Sequence, residues 1–206
     1  MDSTVNEQDR YAALEALDVD SPIWDRFFTI APLVLVGTVE EDGRVDFAPK
    51  HMAFPLGWDN YFGFICTPRH GTYGNAKRNG AFTVTYPRPA DIVMTSLTAA
   101  PRSGDEKPIV NLTDTFPAQR VVGEFVSSGY LFLECELEQI VDGFGVNSLI
   151  AGRVVAAYAQ PEALRRIDRD DAEILLDVPQ LAYLYPGRFA IIEETEAFPF
   201  PAGMQR

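Results

Sequence analysis

The sequence is short of cysteine and of long apolar segments, and each shortage excludes a class of protein. Cys66 and Cys135 are the two cysteines among the 206 residues, and neither belongs to a CxxC pair. A disulfide framework and a zinc site therefore do not fit the sequence. No uncharged apolar run reaches the roughly 18 residues that a transmembrane helix needs, so we expect no membrane association.

The start of the sequence also lacks the features of a secretion signal. Residues 1–10 are polar and acidic. They contain no basic start followed by an apolar stretch, which a signal peptide requires. Unpaired cysteines suit a reducing compartment. We therefore expect a cytoplasmic protein.

Positive charge is scarce, and most of the chain is acidic. There are 17 lysines and arginines against 30 acidic residues, which gives a formal net charge of -13. Such a surface repels phosphate backbones, so we expect no nucleic-acid partner. Residues 50–88 are the exception, because they contain five cations, a single acid and both histidines. This local excess is either a chance fluctuation on a solvated surface or the wall of a pocket for a small anion.

Most of the chain has the pattern of short strands joined by turns. Strands are predicted for residues 33–39, 44–48, 61–66, 82–86, 131–141, 148–158 and 188–192. Pro49 is expected to end the second strand. Helical patterns cover residues 9–17 and 72–79, a segment that begins at Ser21-Pro22 and ends before Pro32, residues 90–99, and a helix start at 161–167.

The order of these elements favours one fold class over another. The strands come mostly as hairpins, and no regular alternation of strand and helix occurs. This predicts an antiparallel barrel or sandwich with flanking helices rather than a doubly wound parallel sheet. Neither a GxGxxG sequence after a strand nor a P-loop is present, so a Rossmann site and a P-loop site are not supported.

One segment combines a helix start with cations. A strand ends at Cys66-Thr67, a loop carries Arg69 and His70, and Thr72 is the predicted N-cap of the next helix. The free N–H groups and the positive dipole of a helix N-terminus stabilise an anion such as phosphate. Lys50 and His51 follow the end of another strand and reach the same place if the two strands are neighbours. Without further evidence, Thr72 is more often a plain helix-start residue.

Several motifs together resemble a known family, the flavin-reductase-like FMN-binding split barrels. The sequence Val36-Gly37-Thr38, followed by residues 42–49 (DGRVDFAP), is similar to the opening hairpin of that family. Thr72-x-x-Asn75 and then residues 80–84 (GAFTV) resemble its T-x-x-N element and the next strand. Residues 133–137 and 149–154 are similar to its central strands, and residues 181–189 to its closing turn. The resemblance covers about residues 32–192.

The chain length fits a single domain over residues 1–206, and the resemblance places its core at about 32–192. The sequence pattern predicts a helical extension over residues 9–28 and an extended tail over residues 196–206. The fold would be an antiparallel split β-barrel that dimerises and holds FMN near the subunit interface. The cofactor-binding residues implied are Pro49, Lys50, His51, Met52, Cys66, Thr67, Arg69, His70, Thr72 and Asn75. His51 stands where the family often has a small hydroxylated residue, so whether a hydroxyl or the cations contact the phosphate is open.

No catalytic residue is assigned from the sequence. Glu134, Glu136 and Glu138 alternate along one predicted strand and are expected on its solvated face. In a flavin enzyme the cofactor carries the electron chemistry. The resemblance implies an oxidoreductase that passes hydride from NAD(P)H to flavin, with a second flavin, oxygen or a partner monooxygenase as acceptor. The alternatives are a non-catalytic barrel that holds a flavin, haem or deazaflavin and, more weakly, a pyridoxamine-phosphate type oxidase.

Overall fold

The structure is a computed structural model that describes residues 11–100, 107–201 and 203. In this part of the chain the strands are β1 (Thr29–Pro32), β2 (Val34–Val39), β3 (Val45–Lys50), β4 (Ala53–Pro55), β5 (Tyr61–Cys66), β6 (Ala81–Tyr86), β7 (Thr115–Pro117), β8 (Glu124–Val126), β9 (Leu131–Phe144), β10 (Asn147–Ala159), β11 (Gln180–Tyr185) and β12 (Arg188–Ile192). The α-helices are α1 (Gly71–Asn79), α2 (Ile92–Leu97), α3 (Pro108–Asn111) and α4 (Asp171–Asp177). Short 3-10 turns cover Pro89–Asp91 and Pro161–Ala163.

Seven strands form one curled antiparallel sheet in the order β3-β2-β6-β9-β10-β5-β4. A smaller sheet has the order β1-β11-β12, and β7 pairs with β8. Every pairing is antiparallel. The architecture therefore confirms the predicted split β-barrel with flanking helices.

The long β9–β10 hairpin supplies two adjacent inner strands of the larger sheet. Its register shifts between Ala151 and Gly152 and again between Val154 and Ala156. Such bulges bend a strand and increase its local twist. They allow one continuous hairpin to pair with β6 on one side and with β5 on the other, which curls the sheet around a shared core.

Aromatic side chains fill that core. Phe62, Phe64 and Phe82 are buried, and the rings of Phe64 and Phe82 meet edge to face at 5.1 Å. This geometry is favourable because the positive edge of one ring meets the negative face of the other. Most aromatics of the third predicted strand therefore fill the barrel, whereas Trp58 before it is exposed.

The predicted N-terminal helices are largely absent from the described residues. Residues 9 and 10 lie outside this part of the chain, Tyr11 is helical as predicted, and the chain then turns and is irregular over residues 15–18. The segment after Ser21-Pro22 contains turns and then strand β1, which pairs with β11. Pairing with a strand about 150 residues later satisfies the β1 backbone, and this tertiary contact overrides the local helical pattern.

Two further predictions need correction. Pro49 does not end the second strand, because β3 continues through it to Lys50. A proline is tolerated there since β3 is an edge strand of the seven-stranded sheet and its missing N–H removes no ladder bond. Near residue 161 the helix is a single 3-10 turn, and a separate helix follows at Asp171–Asp177. No helix in the described part is both long and apolar enough to cross a membrane.

Glu134 is fully buried, so its predicted solvent exposure is wrong. Its carboxylate accepts hydrogen bonds from the backbone N–H groups of Gln119 (2.9 Å), Arg120 (2.5 Å) and Val121 (2.9 Å). These residues cover the face that the strand alternation assigned to solvent, whereas Glu136 remains exposed. Burial alone raises the pKa of Glu134, but the three N–H donors and the Tyr158 hydroxyl outweigh it and leave the pKa lowered.

We predict that Glu134→Gln lowers the free energy of unfolding by roughly 2–3 kcal/mol, because the amide loses charge-assisted hydrogen bonds in a buried site. The folded-state pKa is depressed, so this stability is present above the unfolded value and is lost as pH falls through the folded value. Urea titration at several pH values should show the difference from wild type shrinking in acid. Glu136→Gln, in an exposed ion pair with Arg153, should change stability by less than about 1 kcal/mol. Equal effects of both variants would contradict the prediction.

Candidate anion and cofactor site

Helix α1 begins at Gly71, after the short loop of residues 67–70 that follows β5. His70 is its N-cap and makes no side-chain capping bond, so the prediction of Thr72 as N-cap is wrong. The chain enters the helix earlier because the His70 N–H bonds to the Thr67 carbonyl (3.0 Å). Gly80 ends the helix in the left-handed region (φ 64) that favours glycine, as predicted.

The start of α1 leaves hydrogen-bond donors without acceptors. Among the described residues nothing accepts from the backbone N–H of Gly71 or Thr72, and the first turn contains no acid. The Thr72 side chain is 3% exposed, and its hydroxyl makes no hydrogen bond within the same part of the chain. These donors line a cavity of about 340 Å³, which is also bounded by the end of β3 and by residues 98–100. The helix start therefore faces a cleft.

Two lysines reach this polar cavity, and their environments differ. Lys107 is paired, since its Nζ lies 2.8 Å from Asp46 Oδ1 and 2.8 Å from the Phe47 carbonyl oxygen. Lys50 is 9% exposed, has the Cys66 thiol as a hydrogen-bonding neighbour, and makes no ion pair with any described residue. A buried charge without an opposite charge beside it is unfavourable because it has lost its hydration. An anion bound in the cavity removes this penalty for Lys50.

The charge of Lys50 acts on the ionisable groups around it. Burial, and then the Lys50 charge, lowers the pKa of both His51 and His70. Burial raises the pKa of the Cys66 thiol, and Lys50 partly offsets that rise. At neutral pH both imidazoles and the thiol are therefore uncharged. The positive charges at the cavity that lack an acidic partner among the described residues are those of Lys50 and Arg69.

A second, apolar cavity of about 740 Å³ adjoins the polar one, and both are lined by Pro49 and Ala99. Its walls come from α2 and from the β11–β12 hairpin. His51 lies in this wall, with its ring centroid 4.6 Å from that of Tyr183 and 5.6 Å from that of Tyr185. The two cavities therefore lie side by side. The first is polar, lined by Lys50, Arg69 and Lys107 and also by Glu40 and Asp46, and the second is mostly apolar.

The structure brings half of the sequence-predicted site residues to the polar cavity and leaves the others elsewhere. Those that line it are Pro49, Lys50, Arg69, His70 and Thr72. His51 lines the apolar cavity, Thr67 lines a separate cavity beside the β9–β10 turn, and Met52 is 44% exposed. Cys66 is buried in the core, as a small hydrophobe.

Asn75 lies inside the protein and holds α1 in place. Its Nδ2 donates to Thr38 Oγ1 at 3.2 Å, and its Oδ1 accepts from Arg78 at 2.8 Å. Both ends of the amide are thus occupied by protein groups, one of them on β2. Asn75 therefore fixes the helix whose first turn faces the cavity.

Sequence reasoning missed Lys107, Tyr183 and the wall formed by α2. Lys107 follows a polar loop without a motif, and its place in the cavity depends on Asp46, which lies 61 residues earlier. Tyr183 reaches His51 because β11 belongs to the smaller sheet. Both contacts depend on long-range packing, and the local sequence carries no signal for either.

The fold and the site define a class of protein: a split β-barrel with a helix start and cations at a polar cavity, next to an apolar cavity. The model of the flavin reductase like domain family matches residues 27–189. The chain belongs to this family, and membership supports a flavin-related function.

Solved structures share the fold at low sequence identity. Flavoredoxin of Desulfovibrio vulgaris (Miyazaki F) is 18% identical, with a TM-score of 0.75 over 92% of this chain and 100% of that one. An FMN-binding protein from Thermus thermophilus is 20% identical, with a TM-score of 0.74 over 90% and 100%. Nitrilotriacetate monooxygenase component B from Bacillus cereus is 18% identical, with a TM-score of 0.76 over 91% and 99%.

We predict that Lys50→Met stabilises the ligand-free protein and removes its response to anions. Loss of a buried unpaired charge should raise the melting temperature by about 2–4 °C, which corresponds to about 1 kcal/mol in a domain of this size. Inorganic phosphate should raise the melting temperature of the wild type but not that of Lys50→Met. Lys77→Met, an exposed change in the last turn of α1, serves as the control. A phosphate response unchanged by Lys50→Met would contradict the assignment.

Proposed function

We propose that this protein is an FMN-binding oxidoreductase of the flavin reductase type. The observation that carries the proposal is the buried Lys50 side chain, which makes no ion pair with any described residue, beside a helix start whose donors face the same cavity. FMN combines a phosphate with a large planar ring system. Its two parts match the polar and the apolar cavity in chemical character.

The polar cavity contains the groups that a phosphate requires. The backbone N–H groups of Gly71 and Thr72 and the Thr72 hydroxyl are donors without described acceptors. Lys50 supplies a compact charge, and Arg69 a forked donor that bonds two phosphate oxygens at once. A hydroxyl and the cations are thus both available. This supports a phosphate held by both kinds of group.

The apolar cavity supports placement of the ring system. It shares Pro49 and Ala99 with the polar cavity, so a ligand that occupies both would lie beside these residues. Side chains such as Leu33, Ile92 and Phe189 form its walls and would exclude water from the ring. Bound FMN would supply the group that accepts hydride from NAD(P)H. The protein contributes binding, orientation and a dry environment.

The outer face of the smaller sheet supports dimerisation. Phe189 and Ile191 alternate along β12 with Ala190 between them, and both side chains are about half exposed. Phe189 also lines the apolar cavity, so a second copy on this face would close it. We therefore include a homodimer in the proposal. Analytical ultracentrifugation that finds a monomer at micromolar concentration would remove this part.

The electron acceptor and the location in the cell complete the proposal. The fold is shared with a protein named as a monooxygenase component, which supports a partner monooxygenase as the acceptor of electrons. Both cysteines are free and buried, which suits a reducing cytoplasm. A pull-down with the reduced, flavin-loaded protein that recovers no oxygenase would count against the partner.

We predict that the protein binds FMN and that Lys50 and Arg69 contact its phosphate. Lys50→Met and Arg69→Gln should each weaken FMN binding by roughly tenfold or more, because each removes a charge-assisted hydrogen bond. Riboflavin, which lacks the phosphate, should bind all three proteins equally. Flavin fluorescence titration measures both ligands, and Arg153→Gln, exposed on β10 and ion-paired with Glu136, is the control. A purified protein that stays colourless and takes up no FMN would refute the proposal.

We predict that the FMN-loaded protein oxidises NADH or NADPH. The assay follows nicotinamide absorbance at saturating FMN, with the flavin-free protein as control. Oxidation that requires both protein and FMN supports the flavin reductase activity. Tight FMN binding without nicotinamide oxidation would instead select the non-catalytic flavin-binding barrel.

A further inference from the structure

Two side-chain polar atoms are closed off from solvent and have no hydrogen-bond partner. Among the described side chains these two atoms are His51 Nε2 and Thr95 Oγ1. His51 and Thr95 both line the apolar cavity, and Thr95 is 0% exposed. The two atoms are separate observations on residues that line the same cavity.

Such atoms need an explanation, because a buried donor or acceptor that has lost its hydration and has no partner destabilises the folded protein. Other buried threonines show the usual solution. The Thr83 hydroxyl donates to the Glu124 carbonyl at 2.6 Å, and the Thr98 hydroxyl donates to the Thr95 carbonyl at 2.7 Å. Thr95 therefore differs from these two threonines in having a buried hydroxyl without a partner, and it lies in the cavity wall.

The two residues approach the cavity from different walls. Thr95 is on helix α2, whereas His51 directly follows β3 and packs against Tyr183 and Tyr185. Most of the remaining wall is apolar. An apolar cavity with a few convergent polar groups is typical of a site that orients a planar ligand by the polar atoms on its rim.

We propose that His51 and Thr95 determine specificity for the ring of the ligand, by hydrogen bonding to polar ring atoms of a planar heterocycle in the apolar cavity. This inference rests on the proposed function, under which the heterocycle is the isoalloxazine ring of FMN. The rim of that ring carries carbonyl oxygens and ring nitrogens. A threonine hydroxyl can donate to such atoms or accept from them. A turn of the imidazole between the two tyrosines would present Nε2 to the ring.

The lowered pKa of His51 makes its imidazole an uncharged hydrogen-bonding partner for the ring. Burial, and then the Lys50 charge, lowers the pKa of His51, so its imidazole is neutral at neutral pH. A neutral imidazole has one donor and one acceptor nitrogen. The groups that face it are Lys50, one residue before it, and the two tyrosines. The charge that attracts the phosphate and the neutral groups that contact the ring are therefore on neighbouring residues.

Riboflavin separates the ring contacts from the phosphate contacts. We expect Thr95→Val and His51→Phe each to weaken riboflavin binding roughly three- to tenfold, because each removes one hydrogen bond and keeps the shape of the side chain. FMN binding should weaken by the same factor. His51→Asn, which retains a donor and an acceptor, should recover part of the affinity. Fluorescence titration gives each dissociation constant.

The stability of the ligand-free protein provides a second measurement. Thr95→Val should leave its melting temperature unchanged or raise it, since the lost hydroxyl had no partner. Thr83→Val is the matched control, because it removes a buried hydroxyl that does have a partner. It should lower the melting temperature and leave riboflavin affinity unchanged. A purely structural role of Thr95 would instead lower stability and spare affinity.

The possible outcomes separate this inference from the proposed function. If FMN and riboflavin bind Thr95→Val and His51→Phe as tightly as they bind the wild type, the inference is overturned and the proposed function stands. If the wild type binds neither ligand, both are overturned. A selective loss of ring affinity in folded, undestabilised Thr95→Val supports the inference.

Discussion

The buried ammonium of Lys50, held beside the first turn of α1, is the constraint on which the rest of the site depends. Edge strand β3 brings Lys50 to this position by continuing through Pro49, and β5 ends at the same place with Cys66. The charge makes no ion pair with any described residue, and after burial it is the second cause that lowers the pKa of His51 and His70. The fold thus buries a positive charge in a protein whose overall charge is negative.

Local chemistry made much of the larger sheet predictable. The β-branched run of β2, the Asp42-Gly43 turn and the aromatic strand β5 contain their own signals, and the structure has strands at Val34–Val39 and Tyr61–Cys66. The smaller sheet was only partly anticipated. The local pattern around β1 predicts a helix. The segment forms a strand because it pairs with β11, and no nearby residue encodes that pairing.

The candidate site was predictable to a similar extent. Of the five cations between residues 50 and 88, Lys50 and Arg69 line the polar cavity, whereas Lys77, Arg78 and Arg88 do not. Burial was the property that local pattern could not supply. The strand alternation predicts a solvated Glu134, but residues 119–121 cover it and donate hydrogen bonds to its carboxylate. The resemblance implies that Asn75 binds the cofactor, whereas its amide is hydrogen-bonded to Thr38 and Arg78.

The Asn75–Thr38 contact has a consequence for rates. It joins α1 to a central strand, so the donors of the first turn already have their orientation before any ligand arrives. A rigid receptor loses little conformational entropy on association, and encounters need not wait for a rearrangement. Differences in affinity between related ligands should therefore arise mainly from how long each complex lasts.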